Sequence, residues 1–361
     1  MAVEPGSTPE DLEVLARASL HAGAYDYYVS GADDERTLRE NLAAWERLRL
    51  RPRVLRDVSA VSTEAHVLGV PVAAPVLVAP TAYQRLAHPD GEAATASGAA
   101  AFGTVMVVST FANTAMEEVA AAAPDAPRWF QLYVHTDRGL TAELVRRAAA
   151  SGYRAIVLTV DLPVLGYRRR DERNNFALPM GVVKANLGDT PSAADVPTDG
   201  SALRAYAEHA VESSLTFDDL GWLRGLSDLP LVVKGVLRGD DAAACVAAGA
   251  DAIVVSNHGG RQLDGAIPTA EALPDVVRAV GERAEVYVDG GIRRGTDVVR
   301  ALALGARAVL LGRPVLWGLA VDGADGVRAV LENYRVELAR AMALCGTPAV
   351  TDVTADLLAE R

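Results

Sequence analysis

Near the middle of its C-terminal half the chain runs Ala252-Ile253-Val254-Val255-Ser256-Asn257-His258-Gly259-Gly260-Arg261-Gln262-Leu263-Asp264-Gly265. The apolar run Ala252 to Val255 reads as a buried strand, and it ends in a polar loop broken by glycine. His258 can take a proton near neutral pH. Arg261, three positions on, can grip a carboxylate through two parallel hydrogen bonds. The pairing suits an anionic substrate that carries an acidic or transferable hydrogen. A histidine at a strand end is just as often a hydrogen-bonded structural residue. The rest of the chain has to decide.

Working outward, the same kind of run recurs at Val76–Ala82, Val105–Thr110, Trp129–Val134, Ala155–Asp161, Leu231–Val236, Val286–Gly291 and Val309–Pro314, making eight with Ala252–Asn257. Helical patterns lie between them, such as Thr141–Ala150, Asp240–Ala248 and Thr296–Leu304. Strands buried on both faces that alternate with helices imply a parallel sheet, and eight units imply a closed (β/α)₈ TIM barrel. A doubly wound sheet is the competing architecture, but no G-x-G-x-x-G follows the first strand. We expect one domain over residues 1–361, with an N-terminal helical and lid segment at 1–70 and the barrel at 72–346. Residues 9–49 read as helical, and Leu50 to Val70 reads as extended and lid-like.

The 361 residues are half hydrophobic, enough for a large core, and the formal net charge of −12 argues against nucleic acid or an anionic membrane as partner. Cys245 and Cys345 sit in helical patterns and read as buried small hydrophobes in a reducing compartment. The first residues lack a basic start and an apolar block, and no apolar run approaches a membrane span. A cytoplasmic location without membrane or metal partners is the expectation.

Most of the strands end in a chemically useful residue: Thr81, Ser109, Gln131 with Tyr133, Thr159 with Asp161, Lys234, His258, Asp289 and Arg313. In a barrel all strand C-termini converge on one face, where such enzymes act. Singly, each is an ordinary loop or cap residue. Together they read as a catalytic site. Asp289-Gly290-Gly291-Ile292-Arg293 follows strand seven and Gly312-Arg313-Pro314 follows strand eight, where barrels of this kind hold phosphate. Glycine lets backbone N–H groups approach the anion and arginine supplies charge.

These motifs resemble those of the FMN-dependent 2-hydroxy-acid oxidases and dehydrogenases, which include the glycolate, lactate and mandelate enzymes. The resemblance runs from Tyr25 to about Leu344. It is carried by Tyr25-Asp26-Tyr27-Tyr28-Val29-Ser30-Gly31, Pro80-Thr81-Ala82, Phe130-Gln131-Leu132-Tyr133, Leu158-Thr159-Val160-Asp161, Val233-Lys234-Gly235, Ser256 to Asp264, and Asp289-Gly290-Gly291 with Arg293. It implies that His258 accepts a substrate proton, that Asp161 stabilises the imidazolium, and that Tyr133 bonds the substrate hydroxyl. Arg261, Tyr27 and Arg168 would hold the carboxylate. FMN would be held by Pro80, Thr81, Ala82, Ser109, Gln131 and Thr159 around the ring, with Lys234 at the N1–C2=O edge and Ser256 nearby. Asp289 would take the ribityl chain, and Gly291, Arg293, Gly312 and Arg313 the phosphate.

Two departures bear on the substrate. Glycolate-type members typically carry Met and Trp where this chain has Tyr83 and Phe111. The run Ala82-Tyr83-Gln84-Arg85-Leu86 resembles the hydroxymandelate oxidases, so Tyr83 and Phe111 are expected to line a pocket for an aryl or bulkier (S)-2-hydroxy acid. The polar segment Arg173 to Ser214, about forty residues and long for such a loop, includes Thr190 to Asp195. The resemblance places a membrane anchor here in some members; a polar segment fits a soluble oxidase with an active-site lid. The expected activity is oxidation to the 2-oxo acid with reduction of O₂ to H₂O₂, in a homo-tetramer or homo-octamer. A short-chain glycolate or lactate oxidase, a quinone-linked dehydrogenase and a non-catalytic phosphate-binding barrel are the alternatives.

Overall fold

Side-chain parity along the strands sorts the core into two shells. In the computed structural model, which describes residues 2–179, 182–188 and 209–359, alternate strand residues belong to alternate clusters. Leu77, Val107, Trp129, Val157, Val232, Val254, Tyr287 and Leu310 fill the barrel interior. Their neighbours Val78, Val108, Phe130, Leu158, Val233, Val255, Val288 and Leu311 pack outward under the helices. A strand covered on both faces has no solvent side to make polar, and this is why the runs are continuously apolar. Full burial of one such side chain contributes about 1.5–3 kcal/mol.

Helices α1 (Pro9–Ser19), α2 (Ala22–Val29) and α3 (Arg36–Arg47) come first, then a hairpin of β1 (Ala65–Val67) and β2 (Val70–Val72). The barrel strands are β3 (Val76–Val78), β4 (Met106–Val108), β5 (Arg128–Leu132), β6 (Ile156–Thr159), β7 (Leu231–Val236), β8 (Ala252–Val255), β9 (Glu285–Val288) and β10 (Ala308–Leu311). All eight are parallel, and β10 pairs with β3 to close the ring. The described helices α4 (Gly91–Phe102), α5 (Met116–Ala122), α6 (Arg138–Ala150), α7 (Arg169–Arg173), α8 (Asp218–Arg224), α9 (Gly239–Ala247), α10 (Thr269–Val280), α11 (Gly295–Ala303) and α12 (Arg313–Cys345) follow in chain order. In α6 the side chain of Asp137 accepts from the N–H groups of Gly139 and Leu140, while Thr141, Leu144, Val145 and Ala148 bury one face.

The expectation of a (β/α)₈ TIM barrel holds, and each of the eight apolar runs overlaps one barrel strand. The lid-like reading of Leu50 to Val70 does not hold. Val67 and Val72 of the hairpin pack into the barrel-interior cluster, and Leu68 N–H donates to Glu285 at the start of β9. The hairpin therefore seals the floor, opposite the strand C-termini. The parity pattern of so short a segment carried no sign of which end it would cover. Cys245 in α9 and Cys345 in α12 are buried and free. Thr190 to Asp195 lie outside the described residues. Among the described residues no helix is long and apolar enough to cross a membrane.

Candidate active site

The strand C-termini open into a cavity with about 1160 Å³ of empty space. Pro80, Thr81, Ala82, Ser109, Gln131, Thr159, Lys234, Asp289, Gly291, Arg293, Gly312 and Arg313 line it on the side expected for the cofactor. Tyr27, Phe111, Tyr133, Arg168, His258 and Arg261 line it on the side expected for the substrate. Asp161 and Ser256 stand one layer back, each holding a residue that does line it. Tyr83 does not line it. Its fully buried ring lies behind Phe111, centroids 6.3 Å apart, and this corrects the expectation that it forms the pocket wall.

His258 follows β8 in a left-handed backbone conformation (φ 57°), a costly state for a residue with a Cβ. Its N–H donates to Ser256 Oγ, and Nδ1 lies 3.0 Å from Asp161 Oδ1. Burial opposes ionisation of Asp161, but the facing His258 and Lys234 outweigh it and hold its pKa below the usual value. An ionised carboxylate can only accept, so Nδ1 carries the hydrogen and Nε2 keeps its lone pair. Burial also lowers the His258 pKa, Asp161 pulling the other way and Lys234 and Arg168 adding to the fall. The ring is therefore neutral at pH 7 and able to accept a proton. Asp161 reaches it because Gly235, at φ 113°, has no Cβ: one would sit 2.7 Å from the Asp161 Cβ.

Lys234 Nζ donates to Ser256 Oγ at 2.9 Å and pairs with Asp289 Oδ2 at 3.2 Å. Burial works against its charge, yet the Asp289 and Asp161 carboxylates raise its pKa. A permanent cation therefore stands at the cofactor side. Gln131 takes N–H of Thr110 on its amide oxygen and donates to Thr159 Oγ1 at 3.1 Å, tying three strand ends together.

The arginines show what kind of ligand the cavity needs. Arg261 Nη1 donates to the carbonyls of Tyr27 and Ser30, at the carboxyl end of α2. Arg313 spends Nε, Nη1 and Nη2 on the carbonyls of Tyr28, Gly259 and Ser30. Both have pKa values depressed, first by burial and then by neighbouring arginines, Arg261 to about 10. Carbonyl dipoles offset part of that charge. Yet among the described residues no carboxylate lies in ion-pair range of Arg261, Arg293 or Arg313. Half-buried cations without anions call for anionic ligands. Asp289 Oδ1 is also buried with no hydrogen-bond partner and is free to accept from a ligand hydroxyl. Two anion sites, an unmatched acceptor and a lysine beside a ring-sized cavity fit FMN with a carboxylate substrate.

Several residues that shape this site escaped the sequence reading. Asn41 and Asn257 exchange reciprocal amide hydrogen bonds at 2.8 Å, anchoring the His258 loop to α3. Gln262 Nε2 donates to the carbonyls of Asp161 and Val164, and its Oε1 takes Gly166 N–H, stapling two catalytic loops. Gln84 Nε2 donates to Thr81 Oγ1, and buried Glu92 takes three backbone N–H groups from the loops after β3 and β4. Only the position of Gln262 beside Arg261 gave a signal; the others act across more than one strand–helix unit or on backbone.

A profile of the FMN-dependent dehydrogenase family matches residues 16–360. The L-lactate oxidase of a Nostoc species is 55% identical over 353 residues, covering 96% of each chain. Human 2-hydroxyacid oxidase 1 is 48% identical over 340 residues, covering 93% of this chain and 92% of its own. The crystal structure of mandelate oxidase with (S)-4-hydroxymandelic acid superposes with a TM-score of 0.93 at 45% identity, over 96% of this chain and 97% of that one. The chain belongs to the FMN-dependent dehydrogenase family, among its 2-hydroxy-acid oxidases.

Proposed function

We propose that this protein oxidises an (S)-2-hydroxy acid to the 2-oxo acid and passes the electrons to O₂, giving H₂O₂, with preference for an aryl or bulky side chain. One observation carries the preference. Phe111 lines the cavity within an aromatic cluster, its ring centroid 5.0 Å from that of Tyr133 and 6.3 Å from that of Tyr83. A flat substrate ring continues such a cluster, and aromatic pairs add about 0.5–1.5 kcal/mol beyond burial.

His258 Nε2 takes the proton released as the substrate is oxidised, and Asp161 stabilises the imidazolium through Nδ1. Arg168 and Arg261 bind the carboxylate, and Tyr27, under both guanidinium groups at 6.0 and 5.0 Å, fixes their planes. Tyr133, whose pKa burial raises, stays a neutral phenol able to bond the substrate hydroxyl. When bound, FMN supplies the two-electron acceptor. Lys234 would favour negative charge on the reduced flavin, and Arg293 and Arg313 would hold its phosphate.

L-lactate is the second reading, favoured by the 55% identity to an L-lactate oxidase. Peroxide release on a panel of glycolate, L-lactate, (S)-mandelate and (S)-4-hydroxymandelate tests both. The proposal expects the highest kcat/KM on an aryl acid. A preference for lactate or glycolate rejects the aryl reading, and flavin reduction without peroxide rejects O₂ as acceptor.

A further inference from the structure

One ionisable group near the cavity has no part in the chemistry above. Asp171, in α7, is only 2% exposed, and neither carboxylate oxygen has a hydrogen-bond partner among the described residues. Its nearest countercharge is Arg168 Nη1, 3.9 Å from Oδ2, beyond hydrogen-bond range. Arg168 is equally sequestered, at 5% exposure, and its Nε is unpartnered too. A buried carboxylate with no hydrogen bond is expensive to keep, and burial accordingly raises its pKa against the pull of Arg261 and Arg168. Packing alone would favour a neutral side chain of that shape.

The charge has a use across the cavity wall. Arg168 and Arg261 are two cations facing one space, and Arg168 weakens the ionisation of Arg261. Asp171 acts on Arg261 in the opposite sense. Because Asp171 makes no hydrogen bond to either guanidinium, it leaves their N–H donors available and acts through its field.

Resting on the reading of Arg168 and Arg261 as the carboxylate site, we propose that Asp171 is the resident counter-ion of that pair. It balances them in the substrate-free site and thereby restrains the affinity for carboxylates, product included. A 2-oxo acid that must leave after each turnover benefits from that restraint. Asp171 touches neither substrate nor cofactor and works only through the arginines.

The test uses two non-oxidisable ligands of nearly equal shape, phenylacetate and phenylacetamide, titrated into the FMN-loaded protein and its Asp171→Asn variant. Perturbation of the flavin absorbance reports binding. The proposal expects phenylacetate to bind roughly 10- to 50-fold more tightly to the variant, as removing one unit charge several ångströms away at an effective dielectric constant of about 20 implies. Phenylacetamide should bind unchanged. Weaker binding of both ligands would mean a structural role and would overturn the proposal, as would unchanged or weaker phenylacetate binding alone. Asp171→Ser gives the same contrast if the amide variant does not fold. If the wild-type protein prefers phenylacetate no more than phenylacetamide, the arginine pair is not the carboxylate site, and the functional reading falls first.

Discussion

In the proposed reaction His258 is the base, and three neighbours set its state. Asp161 fixes the tautomer, Ser256 holds the backbone, and burial keeps the ring neutral. The base must be unprotonated to work, so kcat/KM falls as the pH drops through the His258 pKa. That pKa lies below 6.5, so activity is on its plateau at pH 7. Asp161→Asn removes the group that raises it. The acid limb of the pH–rate profile should then move to lower pH, while the plateau falls by about 10²- to 10⁴-fold; a limb moving to higher pH would contradict the assigned pairing. Phe111 governs side-chain space in the proposed reading. Phe111→Trp should lower kcat/KM for (S)-mandelate roughly 5- to 150-fold relative to L-lactate, since overfilling a packed site costs about 1–3 kcal/mol. Equal losses on both acids would show that Phe111 only packs against Tyr83 and Tyr133.

At the level of elements, the carboxyl end of α2 is the hub that brings the two anion sites together. Its carbonyls hold Arg261 from the loop after β8 and Arg313 from the loop after β10. Arg293→Ala and Arg313→Ala should each weaken FMN retention, by about 1.5–3 kcal/mol per charge-assisted contact. Arg313→Ala should also lower the melting temperature, because it unties α2 from the barrel; Arg293, whose side chain among the described residues bonds only its neighbour's carbonyl, should not. Equilibrium dialysis of flavin and a thermal melt of each variant check this. Full flavin retention by both would move the phosphate site elsewhere. Asn41→Ala removes both bonds to the Asn257 amide and leaves the buried Thr269 N–H without its acceptor, at a cost of about 1–3 kcal/mol, and should lower the melting temperature by several degrees. The barrel strands were legible because burial on both faces leaves an unmistakable apolar run, and strand-end residues such as Lys234 and Gln131 stood out against it. The α2 hub was not legible, since backbone carbonyls leave no trace in residue identity. Neither was the Asn41–Asn257 pair, whose members lie far apart in the chain.

For the whole molecule, one closed barrel puts eight strand ends around a single space, and that is why so many chemically useful residues could be foreseen to meet. Closure itself followed from counting units; the covering of each end did not. Leu50 to Val70 was read as lid-like, yet the β1–β2 hairpin at its end covers the floor, and Tyr83 was read as pocket wall and stands behind it. Both misreadings concern depth, which the order of residues along a chain does not encode. The claim on which everything else depends is that this barrel, loaded with FMN, uses His258 as its base on a 2-hydroxy acid. It is tested most directly by anaerobic rapid mixing of (S)-mandelate with the wild-type protein and with His258→Asn, following loss of the flavin absorbance. Prompt bleaching is expected in the wild type, and bleaching slowed by about 10²- to 10⁴-fold or more in a variant that still holds its full complement of FMN. Bleaching at a near-normal rate in His258→Asn would contradict it.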